Sequence, residues 1–536
     1  MRKIFLILAL FPCILFSQIS IDPNPFEVNE SVTITVDINS NDTNCNSISN
    51  PDSVYMHAGI GYDSNPWGYS VVGNWGQDDG VGQMTDNGNG IWSITIVPED
   101  YFGLNSSQAS STTSMGMVFR NEDGTQELKD QGCSDFFINV GSFQVELINP
   151  DNSGIILVDY NGSTQILAQN TNGNANYSLY ANGELIDSED DINFYNGYQF
   201  NNLIENQYCE LYISQGDSTI IKKFTILVNN TTIESLPSGL EDGINYNDDT
   251  TKATLVLSAP YKDFVYVAGD FNFWSPTSEY AMKKDSNSER FWLEIEGLEP
   301  GEIYTYQYWV SDLSPIDESP SLVKTADPFS TMVLSPFDDP WIPENSYPNL
   351  PEYPYDFGIE REVTVLKSGQ EQYNWQVDNF EKSKEEDLII YEVLIRDFDS
   401  DRTFQNLIDR IDYFKELNIN AIELMPVMEY EGNESWGYNT AFHMSVDKFY
   451  GPEEKLKEFI DLCHQNDIAV ILDLVMNHVM GRSPMNRMWM NDPDENGWGE
   501  PSEENPYFNE IATHSYGLGN DFNHQSSYTQ YYTQRV

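Results

Sequence analysis

Ile468-Ala469-Val470-Ile471-Leu472-Asp473-Leu474-Val475-Met476-Asn477-His478 is the stretch whose reading decides the fold. Its first five residues form an unbroken apolar run, the pattern of a strand buried on both faces of a parallel sheet. A carboxylate, an amide and an imidazole appear where the run ends. In a parallel barrel that end is the C-terminal face, where polar side chains more often serve ligands than stability.

The preceding sequence supports such a sheet. Residues 388–395 and 419–425 read as two further apolar strands. Phe404, Leu407, Ile411, Phe414 and Leu417 recur at helical spacing between them. Pro452 opens a second helix whose buried stripe is Leu456, Phe459 and Cys463. Strand, helix, strand, helix, strand is the opening of a (β/α)8 barrel. Residues 388–536 are therefore expected to be the first part of an α/β barrel, three strands and the start of an inserted loop domain.

A chain of 536 residues with 40% hydrophobic and 13% aromatic content has room for several packed domains. A net charge of −59, from 26 basic and 85 acidic residues, argues against nucleic acid and anionic membrane as partners. Residues 1–17 read as a bacterial-type signal peptide, with Arg2 and Lys3 before an apolar run. No later segment is apolar for long enough to span a bilayer. The mature chain is expected to be secreted or held at the cell surface. The sequence says nothing about oligomeric state.

Three all-β sandwich domains are expected before the barrel. In residues 18–142, short alternating strands are broken by Asn, Asp and Gly. The aromatic-rich stretch Trp67-Gly68-Tyr69 to Asn74-Trp75 lies among them. Cys45 and Cys133 fall in this domain and could pair in an oxidising compartment. Residues 143–234 read as an immunoglobulin-like spacer, with a hairpin signal at Ala181-Asn182-Gly183. In residues 235–345, Tyr304, Tyr306 and Tyr308 share one face of a strand. Residues 346–387, rich in Pro, Tyr and Asn, read as an extended linker.

Several short motifs then resemble the α-amylase family, glycoside hydrolase family 13, in that family's order. Ile390-Tyr391-Glu392 through Arg396-Asp397-Phe398 resembles its first barrel strand, and Ala421-Ile422-Glu423-Leu424-Met425-Pro426 its second. Trp436-Gly437-Tyr438, Phe449-Tyr450-Gly451 and Asp473 to His478 follow. Val267-Ala268-Gly269-Asp270-Phe271-Asn272-Phe273-Trp274 is similar to carbohydrate-binding module family 48, the domain that precedes the barrel in branching enzymes and pullulanases. Residues 18–142 loosely resemble small starch-binding modules.

The resemblance implies an α-glucan polysaccharide as partner and substrate. Tyr438 would stack on the central sugar, His478 would hydrogen-bond its hydroxymethyl group, and Trp436 would belong to the same substrate-binding loop. Asp473 would hold an arginine of the next strand and so orient the nucleophile. Trp67, Tyr69, Trp75 and Trp274 are candidate sugar platforms, the alternative being that they pin loops. Asn477 and Asp521 would be ligands of a structural Ca²⁺, an ion that takes six to eight oxygens. In this family a retaining mechanism uses two carboxyl groups roughly 5–5.5 Å apart. Neither Asp397, Glu429 nor Asp473 matches the nucleophile or the acid, so both are expected beyond Val536 and the chain as written is expected to be inactive. The reading is a secreted α-glucan glycosidase. The alternatives are a branching or debranching relative, or a starch-binding surface protein without catalysis.

Overall fold

The computed structural model describes residues 18–39, 47–62, 65–130, 133–151, 154–216, 218–494, 496–514 and 517–536. The signal-peptide segment 1–17 and Cys45 lie outside them. The chain divides into two compact units: residues 1–156, 163–201 and 207–226 form one, and 157–162, 202–206 and 227–536 the other.

The first unit begins with two antiparallel sheets. In one, Val32–Asp37 lies between Ile19–Asp22 and Ile91–Ile96. In the other, Val54–Tyr62 lies between Asn65–Val72 and Ser114–Asn121. Alternation decides the core: Val32, Ile34 and Val36 face inward with Met56, Ala58, Ile60, Met115, Met117 and Phe119. Each such side chain contributes roughly 1.5–3 kcal/mol by leaving water. Cys133 is disulfide-bonded. Further on, Ala175–Ala181 and Glu184–Ile192 pair as a hairpin. Asn182 and Gly183 at its tip both have positive φ, 50° and 83°, as a type I′ turn demands.

The second unit contains another sandwich. Gly243–Tyr246, Lys252–Ser258 and Arg290–Glu296 make one antiparallel sheet. Phe264–Gly269, Tyr304–Ser311 and Val363–Leu366 make the other. Tyr306 and Tyr308 point inward, and both hydroxyls donate to Asp327 Oδ2, at 3.0 and 2.9 Å. Val363–Leu366 corrects the linker reading, because it pairs with Tyr304–Ser311 and Val333–Leu334 inside residues 346–387. Four alternating residues are too short to stand out against the surrounding Pro and Tyr.

Ile390–Val393, Ala421–Leu424 and Ala469–Leu472 form a parallel sheet in that order. The helix read across 404–417 is two, Phe404–Asp409 and Ile411–Glu416, separated at Arg410, whose φ and ψ are −101° and 12°. These helices and Glu453–Gln465 cover one face through Phe404, Leu407, Phe414, Leu456, Phe459 and Cys463. The segment after His478 turns back onto the sandwich. Met485, Met488, Trp489, Tyr507, Phe522 and Tyr532 share one core with Leu255, Val267, Tyr306 and Phe329. Among the described residues no helix is long and apolar enough to cross a membrane.

Candidate functional site

Strand pleating places the chemistry. Val393, Ile422 and Leu424 join the core under the helices, so Glu392 and Glu423, which lie side by side in register, face the other way. Ile471 continues that row and Asp473 lies two residues beyond it on the same side. The loop 431–439 closes over this end. Tyr438 Oη donates to Asp473 Oδ2 at 2.8 Å. That carboxylate, with burial second, pushes the Tyr438 phenol up to about 12, and the charges of Glu392 and Glu423 act in the same direction.

The Trp436-Gly437-Tyr438 turn has a steric reason. Gly437 has φ 90°, and a Cβ there would run into the Pro426 carbonyl. Its N–H donates to Ser435 Oγ at 2.9 Å, and Thr440 Oγ1 donates to its carbonyl at 3.1 Å. Tyr438 is thereby fixed half-buried, with Trp436 exposed at the tip.

His478 does reach the same loop, through a different contact from the one expected. Its Nε2 lies 2.7 Å from the Tyr438 carbonyl oxygen, and the ring is 5% exposed. It therefore acts on the backbone that carries Tyr438, and Nε2 is not free for a sugar hydroxyl. Asp473 is partnered by the Tyr438 phenol. Of the other strand-end carboxylates, Asp397 pairs with Arg396 at 2.8 Å and is well exposed. Glu429 is buried against Lys448, which also reaches Asp339 at 3.2 Å. Burial pushes Glu429 up to about 7 against the pull of Lys448.

Two residues escaped the sequence reading. His443, in Thr440–Val446, sets its Nε2 2.7 Å from the Val475 carbonyl oxygen and its Nδ1 3.3 Å from the Tyr532 hydroxyl. It ties the tail of the third parallel strand to the last helix, Ser527–Arg535. Burial pulls it down to about 4, so it is neutral at physiological pH. Asp339 was missed for the same reason: neither sits at a motif spacing.

The expected platforms separate. Trp67 lies flat across Gly59 and Gly116, where a Cβ on either would overlap its indole. His57 stacks on Trp67 at 5.7 Å and meets Trp75 edge-on at 5.6 Å, and Trp75 is 46% exposed. Tyr69 packs against the sandwich core and hydrogen-bonds Ser111 at 3.0 Å. Trp274 is a correction: it is 6% exposed, its Nε1 donates to Asp270 at 3.0 Å, and neighbouring Phe273 takes the surface position instead.

The pair Asn477 and Asp521 does not fit a calcium site. The Asp521 carboxylate already accepts from Asn509 Nδ2, Thr513 N and Thr513 Oγ1 at 2.8–2.9 Å, with His514 Nε2 3.2 Å away. Asn477 is exposed, and its carbonyl takes the Phe522 N–H at 3.0 Å. Among the described residues no group of three His, Cys, Asp or Glu gathers to hold a metal. Asp521 organises a loop.

Carboxylates at the ends of parallel strands, beneath a latched tyrosine, occupy the position where α/β barrels place their active sites. Residues 378–532 match the α-amylase catalytic domain, and residues 19–128 match a domain of unknown function, DUF8578. Residues 378–532 are thus similar to the catalytic domain of α-amylases. The chain is 39% identical over 107 residues to malto-oligosyltrehalose trehalohydrolase of Saccharolobus solfataricus, covering 20% of this chain and 19% of that one. It is 29% identical over 232 residues to the 1,4-α-glucan branching enzyme GlgB of Chlamydia caviae, covering 42% and 28%. A pullulanase from Anoxybacillus sp. LM18-11, solved with maltotriose, shares 17% identity over 73% of this chain and 56% of its own, at TM-score 0.40. The chain thus spans less than a third of the length of these two curated relatives.

Proposed function

We propose that residues 388–536 are the sugar-holding part of an exported, retaining α-glucan glycosidase, and that Tyr438 is the ring on which the central sugar stacks. The observation that carries this reading is the Tyr438–Asp473 hydrogen bond above Glu392 and Glu423. A ring held at fixed height by a carboxylate below and His478 behind presents a preorganised surface, so binding spends little on ordering it. Export is supported by the pattern of residues 1–17. Asp397 and Glu429 are committed to ion pairs, so neither is offered as acid or nucleophile.

A second reading, glucan capture independent of cleavage, rests on the exposed Trp75 beside Trp67 in the first sandwich. One calorimetric experiment addresses both. Maltoheptaose is titrated into the chain, with cellohexaose as control. The expected result is selective maltoheptaose binding that weakens about 10-fold in Tyr438→Ala, the loss of about 1.4 kcal/mol. Binding unaffected by Tyr438→Ala but lost in Trp75→Ala would replace the first reading with the second. Equal affinity for both oligosaccharides, or no binding, would remove both.

A further inference from the structure

Beyond the Tyr438 site, one aromatic cluster serves no core and no part of the site described so far. Phe337 comes from the segment that leaves the second unit's sandwich, and Trp498 from the excursion after His478. Their ring centroids are 6.4 Å apart at 53°, and the side chains are 36% and 38% exposed. Each ring is backed by a guanidinium: Arg361 Cζ lies 4.2 Å from the Trp498 centroid and Arg482 Cζ 4.5 Å from that of Phe337.

Both arginines are themselves anchored. Arg361 donates to the Asn496 carbonyl at 3.1 Å, and Arg482 pairs with Asp338. Asp492 accepts from the N–H groups of Asn496 and Gly497, at 3.1 and 2.7 Å, which fixes the turn that presents Trp498. A loop pinned by this many buried polar contacts holds its ring still, yet the ring is left in water. That combination is costly for a purely structural residue and suits a stacking ligand.

The cluster is continuous with the candidate site. Asn433 Nδ2, in the Trp436–Tyr438 loop, donates to the Asp338 carbonyl at 2.9 Å. The Arg482 N–H donates to Glu431 Oε1 at 2.9 Å in the same loop. Trp498 lies over Gly481, three residues after His478. We propose that Phe337 and Trp498 form a second platform, on which the outer sugars of an α-glucan rest while an inner sugar occupies Tyr438. The occupant is a neutral oligosaccharide rather than a peptide. Two exposed rings 6.4 Å apart offer apolar surface to neutral sugar rings, and Asp338 and Glu362 already neutralise Arg482. The proposal rests on the glucan reading of Tyr438 and extends it to the length of chain recognised.

The test compares maltotriose, long enough for the Tyr438 site alone, with maltoheptaose, by calorimetry on the whole chain. The expected result is tighter binding of maltoheptaose, which Trp498→Ala weakens about 3- to 10-fold, the scale of one aromatic contact, while maltotriose affinity stays within error. Trp498→Phe should restore most of the difference, and an unchanged melting temperature in Trp498→Ala separates stacking from loop collapse. If Trp498→Ala leaves the ratio of the two affinities unchanged while Tyr438→Ala weakens both, the platform is wrong and the Tyr438 site stands. If wild type binds neither sugar, both fall together.

Discussion

At the scale of the residue, two buried groups titrate in opposite senses. His443 is held neutral by burial, at about 4, so the unfolded chain takes up a proton near 6.5 while the folded chain does not. Its contribution is intact above 6.5 and is lost as pH falls toward 4. Asp327, sealed under Tyr306 and Tyr308, is pushed up to about 6 by burial. The folded state then holds a proton that the unfolded state releases near 3.8, so this contribution is complete below 3.8 and is lost as pH rises through 6. The two slopes offset each other between 4 and 6. Urea unfolding across that range should show His443→Gln losing stability as pH rises and Asp327→Asn losing it as pH falls. The same slope in both variants would contradict the assignment of these groups.

At the scale of the element, the third parallel strand and the motif after it were legible, because an apolar run broken by Asp473 carries its own period and its own end. The Gly437 turn was legible as a motif, and its sterics explain why. What could not be read was partnership. Nothing in the spacing of Trp489, Tyr507 and Tyr532 shows that they face a sandwich more than a hundred residues earlier, since helix and loop patterns record that a face is buried but not against what. Trp274 failed for the same reason: an aromatic after Gly and Asp looks the same in sequence whether its ring lies in or out. Trp489 makes the joint measurable. Its indole is fully buried, and its Nε1 donates to the Pro260 carbonyl at 2.8 Å. Trp489→Ala should cost about 3–5 kcal/mol, the range for emptying an aromatic site and orphaning a buried acceptor, read as a lower urea midpoint. A shift below 1 kcal/mol would mean that the excursion is not held by this core.

At the scale of the whole molecule, two opposing features set behaviour in solution. A net charge of −59 repels copies from one another. The parallel sheet, however, leaves Ile390 and Leu472 exposed on its first and third strands and Leu474 just past the third, at 46%, 41% and 44%. A sheet that presents apolar side chains and unpaired backbone is a template for association. Salt decides between them, because the Debye length falls from roughly 30 Å at 0.01 M to 3 Å at 1 M, while apolar contact is not weakened. Sedimentation should therefore show larger species as sodium chloride is raised, opposite to the behaviour of an assembly held by ion pairs. Leu472→Lys places a charge at an exposed apolar position and should suppress the salt-induced growth without moving the melting temperature, since Leu472 is already 41% exposed. Growth that persists unchanged in Leu472→Lys would place the adhesive surface elsewhere, with the exposed rings of the first sandwich next in line.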